Sequence, residues 1–124
     1  MICDIYDNVL EEHVAQLIDM EMKEITWKYD YNSHKEGINK HWHTHCGHEE
    51  LFEEYNFLSP IWETAKRKYN FEKKYKVSRF LRVYVNAHTH GIEPHLHRDD
   101  GDFTMIYYPR LDWKPEWMGE TAIW

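Results

Sequence analysis

His97-Arg98-Asp99 sets an imidazole and a carboxylate two positions apart. The pair follows a strand and a turn region, Asn86 to Pro94, and precedes the apolar run Phe103-Thr104-Met105-Ile106-Tyr107-Tyr108. A histidine and an acid placed this way, as the chain leaves a strand, can grip one metal ion from the same side. Two histidines and one carboxylate with open positions opposite are the ligand set of non-heme Fe(II) sites. His97 and Asp99 are therefore the candidate metal ligands. A second histidine is needed to complete the set, and no obvious one follows before Trp124.

Other residues compete for metal roles. His41-Trp42-His43-Thr44-His45-Cys46-Gly47-His48 is the densest histidine stretch. In a strand, alternation would put His41, His43 and His45 on one face, where Zn2+ or Ni2+ could bind. A substrate-side loop or adventitious metal binding is expected ahead of a structural zinc. His95 is a candidate substitute ligand, but beside Pro94 it is expected to orient the loop. Asp99, Asp100 and Asp102 surround Gly101, so they could equally be turn chemistry. His88 and His90 could be ordinary surface histidines. Tyr107 and Tyr108 should point to opposite faces, so one of them is core.

These side chains need elements to hold them. Asn8 with Glu11 reads as a capping box. Leu10, Val14, Leu17, Ile18 and Met22 then recur at helical spacing, which predicts a helix from Val9 to Glu24. Ile25 to Tyr31 is aromatic and β-branched and could be a strand. Asn32 to Lys40 is polar and reads as loop. Glu49 through Tyr69 reads as helix, interrupted or restarted by Pro60. Val77 to Ala87 alternates and predicts a strand, with Val77, Arg79, Leu81, Val83 and Val85 on one face and Phe80, Arg82 and Tyr84 on the other. A third strand is expected from Phe103 to Tyr108, a loop from Leu111 to Trp117, and another strand starting at Gly119. Helices first and strands after them suit an α+β fold, with helices packed on a sandwich or jelly roll.

Bulk properties narrow the classes. A length of 124 residues is one-domain size. Hydrophobic residues make up 42%, enough to build a core and too many for a disordered chain. The net charge of -7 argues against duplex nucleic acid or an anionic membrane surface as the main partner. The basic clusters, Lys66-Arg67-Lys68 and Lys73-Lys74-Tyr75-Lys76, are short and read as a solvated helix face. Two cysteines do not make a disulfide framework and suit a reducing compartment. The first residues carry no basic region and no apolar core of a secretory signal, so a cytoplasmic location is expected. No apolar stretch approaches the ~20 residues that span a bilayer.

The C-terminal third resembles the 2-oxoglutarate- and Fe(II)-dependent dioxygenases, in particular the prolyl 4-hydroxylase-like branch that includes phage members. Three pieces carry the likeness, in order. Pro94-His95-Leu96-His97-Arg98-Asp99 holds the family's H-x-D. Thr104-Met105-Ile106-Tyr107-Tyr108 looks like its T-x-x-Y-Y strand. Asp112-Trp113, followed by Trp117-Met118-Gly119-Glu120-Thr121, is similar to its D-W and W-G-G-E-T. H-x-D alone is a weak signal, and the three together form a strong one. The likeness covers residues 79–124 and only loosely the helices before them.

The resemblance implies a single domain, with residues 1–76 as mainly helical support and residues 77–124 as the N-terminal part of a double-stranded β-helix (jelly-roll) core. It implies His97 and Asp99 as iron ligands and Tyr108 as a hydrogen-bond donor to the far carboxylate of 2-oxoglutarate. Thr104 and Thr121 would line the same pocket. Fe(II) and 2-oxoglutarate are the implied cofactors, ascorbate is allowed as a reductant, and O2 is the second co-substrate. The reaction is hydroxylation, with a peptide or protein as the substrate class. Met118 departs from the family where its first glycine is usual, and His88 stands near a usual tyrosine. The distal histidine and the basic residue that pairs with 2-oxoglutarate would lie beyond Thr121. Their lack leads to the expectation of a piece of a longer protein, with a degenerate member as the alternative, and of little or no activity from these 124 residues. Two other classes compete. One is a small cupin-like metal protein using His95-x-His97 with Asp102. The other is a non-catalytic jelly-roll module that forms a homo-oligomer through an open sheet edge.

Overall fold

The computed structural model describes residues 3–32, 39–48, 55–77, 79–92 and 96–123. Its first element is α1, Glu12–Met22. Leu10, Val14, Ile18 and Met22 turn one stripe inward at four-residue spacing, with Ala15 beside them. Leu17 sits about 100° around the helix from Ile18 and stays half exposed. The expected capping box does not form. Asn8 has a left-handed backbone (φ 51), and Glu11 caps α1 through its carbonyl, which accepts from the Val14 and Ala15 amides, with no side-chain cap bond.

Two antiparallel strands follow, β1 (Lys28–Tyr31) and β2 (His41–His48). A 3-10 turn at Asn56–Leu58 then leads into α2, Ser59–Tyr69. Pro60 lies in the first turn of α2, where a missing N–H costs nothing. It therefore starts this helix. Lys66, Arg67 and Lys68 occupy the last turn, the favourable end of the helix dipole. Asn70 ends α2 in the left-handed conformation that asparagine tolerates. The short α3, Phe71–Tyr75, packs Phe71 into the core. The expected loop at residues 33–38 and the helical reading of residues 49–54 lie outside the described residues.

β3 spans Arg82–Ala87 and pairs antiparallel with β2, giving the order β1-β2-β3. It is shorter than the expected Val77–Ala87 strand. Lys76 turns left-handed, and Phe80 packs edge-on against Trp62, 4.8 Å between ring centres. Strand alternation therefore begins only at Arg82. From there it holds: Val83 and Val85 pack on the core, and Tyr84 faces away.

The β2–β3 register steps from His45↔Tyr84 to Gly47↔Val83, so Cys46 is an extra residue in β2. The bulge lets Thr44, Cys46 and Gly47 all be buried beneath the helices. The core joins Ile18, Cys46, Leu58, Ile61, Trp62, Ala65 and Phe71.

Two expected strands do not form among the described residues. Residues 103–108 and 119–123 form no ladder, and the strands seen are those of one three-stranded sheet. Within residues 103–108 Tyr107 packs on the core and Tyr108 is exposed, but Phe103, Met105 and Ile106 are exposed as well. An extended segment becomes a strand only beside a partner, and no described segment pairs with it. The fold is α+β with a small antiparallel sheet, and a jelly roll is not seen among the described residues. Helices and strands interleave; they do not come as helices first. No helix among the described residues is long and apolar enough to cross a membrane.

Candidate functional site

His97 and Asp99 do come together. His97 Nε2 lies 3.4 Å from Asp99 Oδ1, and each side chain is about one third exposed, at 32% and 31%. The other carboxylate oxygen is fixed: Thr104 Oγ1 donates to Asp99 Oδ2 at 2.9 Å. A threonine from the following segment thus orients the acid from the far side, as partners behind metal ligands do. Beside them, Arg82 pairs with Asp100 at 3.5 Å and lies 5.3 Å from the Tyr84 ring centre. Burial, helped by the charge of Asp99, pushes the Tyr84 phenol pKa up. Tyr84 is therefore a neighbour of the candidate acid.

Tyr84 belongs to a polar ladder on the sheet face away from the helices. Register sets His43 against Asn86 and His45 against Tyr84, and one step beyond Trp42↔Ala87 it brings His88 to His41. Tyr31 of β1 stacks on His43 at 3.9 Å and meets His41 edge-on at 5.3 Å. The His43 Nδ1–H donates to Asn86 Oδ1 at 2.8 Å. The His41 and His88 rings lie 4.6 Å apart. His41 is 1% exposed, and its Nε2 has no hydrogen-bond partner among the described residues. Burial first, then the charges of His88, His43 and His97, outweigh the raising effect of a hydrogen bond that His41 donates to Asn86 and pull the His41 pKa below its usual value. Partial desolvation of its ring lowers His88 in the same direction. The influence of His97 places the candidate ligand pair near this ladder.

Sequence reasoning foresaw His41 and His43 sharing a face and missed Tyr84, Asn86 and His88 opposite them. The signal was available in the alternation of β3, extended one residue past its end. On the opposite face, Trp27, Trp42 and Ala87 line a shallow apolar depression of about 280 Å³.

The remaining expected residues fall into two groups. The hydroxyls of Tyr108 and Thr121 hydrogen-bond to one another, so two of the residues carrying the resemblance do meet. Asp112 is clamped by Arg110 through two bonds of 3.0 and 2.9 Å, which hold its carboxyl below the usual range. Arg110 also lies 5.0 Å from the Trp117 ring centre, and Trp117 meets Trp113 at right angles. Asp112-Trp113 thus builds a local aromatic knot. His95, with Pro94, lies outside the described residues. Among the described residues, no three His, Cys, Asp or Glu side chains converge to hold a metal ion. No family model, curated protein or solved structure matches the chain.

Proposed function

We propose that His97 and Asp99 are two protein ligands of a 2-oxoglutarate- and Fe(II)-dependent dioxygenase site that hydroxylates a peptide or protein. The observation that carries this reading is their spacing. Bonds of about 2.1 Å set two donors about 3.0 Å apart at a right angle and about 3.4 Å apart at a tetrahedral one. His97 Nε2 and Asp99 Oδ1, at 3.4 Å, stand about 0.4 Å wider than the right-angle span and within reach of one ion. One imidazole and one carboxylate also suit the donor chemistry of ferrous iron. When bound, iron with 2-oxoglutarate supplies the oxidising power for hydroxylation. The protein's own part is to hold Asp99 through Thr104 and to offer the Tyr108 phenol, poised by Thr121, as a donor to a carboxylate. On this reading the small sheet belongs to a jelly-roll core, and two cysteines not joined in a disulfide suit the cytoplasm. The cupin-like reading also needs His95, which lies outside the described residues, whereas the dioxygenase reading rests on His97 and Asp99, which meet.

Anaerobic titration tests it. Fe(II)-dependent 2-oxoglutarate binding should be weak, lost in His97→Ala and Asp99→Ala, and about tenfold weaker in Tyr108→Phe, the loss of one hydrogen bond to a charged group. Binding that is undiminished in both ligand variants overturns the assignment. With two protein ligands meeting among the described residues, little or no succinate should form, and mass spectrometry of the reaction mixture checks that.

A further inference from the structure

We propose that His41 and His88 form a cross-strand chelate for a divalent transition cation of the zinc, nickel or copper kind, on the outer face of the sheet. The pair does not depend on His97 and Asp99. β2 and β3 place these two residues directly across from one another, one step beyond Trp42↔Ala87. Opposed residues on one face have Cβ atoms about 4.5–5.5 Å apart, close enough for two imidazoles to reach one point.

The ring spacing agrees. An ion about 2.1 Å from one nitrogen of each ring sets the ring centres about 4.5 Å apart at the right angle that suits Ni2+ and Cu2+, and about 5.3 Å apart at zinc's tetrahedral angle. The observed separation is 4.6 Å. The second observation is the state of His41 itself. It is 1% exposed, yet its Nε2 has no hydrogen-bond partner among the described residues. A buried polar atom without a partner costs about 1–3 kcal/mol, so such atoms are rare unless something fills the role. A metal ion would satisfy this nitrogen, and His88, which is exposed, would close the site from the solvent side.

Imidazole donors select borderline cations over Mg2+ and Ca2+, and Cu2+ should bind tighter than Ni2+ or Zn2+. Two protein ligands leave the remaining positions to water, so the affinity should be modest. Bridging two strands, the ion would also pin their register, because it binds the folded sheet and not the unfolded chain.

The chain has ten histidines, so the test must separate this pair from the rest. Zn2+ is titrated calorimetrically into chelator-stripped protein, alongside His88→Ala and His97→Ala. His88 is the informative target because it is exposed at the end of a strand, and circular dichroism checks that the variant folds. The expected result is a binding event that His97→Ala retains and that is at least tenfold weaker in His88→Ala, distinct from any event at His97 and Asp99, which His97→Ala removes. Cu2+ electron paramagnetic resonance should show two coordinated nitrogens in the parent and one in His88→Ala. Unchanged affinity in His88→Ala overturns the proposal. So does binding wholly lost in His97→Ala but kept in His88→Ala, which would assign the ion to the other pair.

Discussion

Met118 holds a backbone conformation that side chains avoid, with φ 59 and ψ -152. That region is close to glycine-only, and a residue forced into it stores about 1–3 kcal/mol. The side chain is 61% exposed, so little packing offsets the strain. Met118→Gly should stabilise the protein by about 1 kcal/mol, seen as a melting temperature higher by about 4 °C. Next to it, Gly119 has φ +94 and would bring a Cβ to 3.0 Å from Trp113, so the turn uses glycine where it must. Residue-level chemistry was legible where partners are neighbours in sequence. His97 and Asp99 were found because they are two apart. Thr104 was suspected for the pocket, but its bond to Asp99 depends on how the chain turns at Gly101. His41 and His88 were invisible as a pair, because only strand register brings them together.

At the level of elements, the β2–β3 pair should be the acid-sensitive part of the fold. Desolvation lowers the folded-state pKa of both His41 and His88 below the usual 6.5. The unfolded chain then takes up protons more readily than the folded one as pH falls through about 6.5, so stability is full above that range and declines below it. In metal-free buffer, urea midpoints should drop between pH 7 and pH 5, and His88→Ala should flatten the slope. A midpoint independent of pH over that window would refute this origin. Helices were the most readable elements, because four-residue spacing is a property of the segment alone. Their ends were less so, since Asn8 and Glu11 have the right residue types for a capping box but the backbone at Asn8 turns elsewhere. Strands were readable only where a partner exists. A strand was expected at residues 103–108 as well, and they pair with nothing described.

For the molecule as a whole, the surface is unevenly finished. Phe103, Ile106, Leu111, Trp113 and Ile123 are each about half exposed, and they fall within one C-terminal stretch. Apolar side chains gathered in this way mark an interaction surface or an association hazard. A net charge of -7 opposes self-association at low salt. Raising ionic strength should therefore strengthen it, because repulsion is screened while apolar contact is not. Sedimentation should show a species that grows with salt and concentration, and a Phe103→Glu, Ile106→Lys double variant should shift it to monomer. A mass that falls with salt would point to ion pairs instead. This exposure was not legible in advance, because an aromatic-rich sequence reads as core until its covering layer is counted.

The bulge in β2 has a consequence for handling the protein. It tucks the Cys46 sulfur wholly out of reach beneath the helices, while Cys3 stands in solvent. An alkylating reagent should consume one thiol at once and wait for the other. The waiting time is then a clock for how often the helical layer lifts from the sheet.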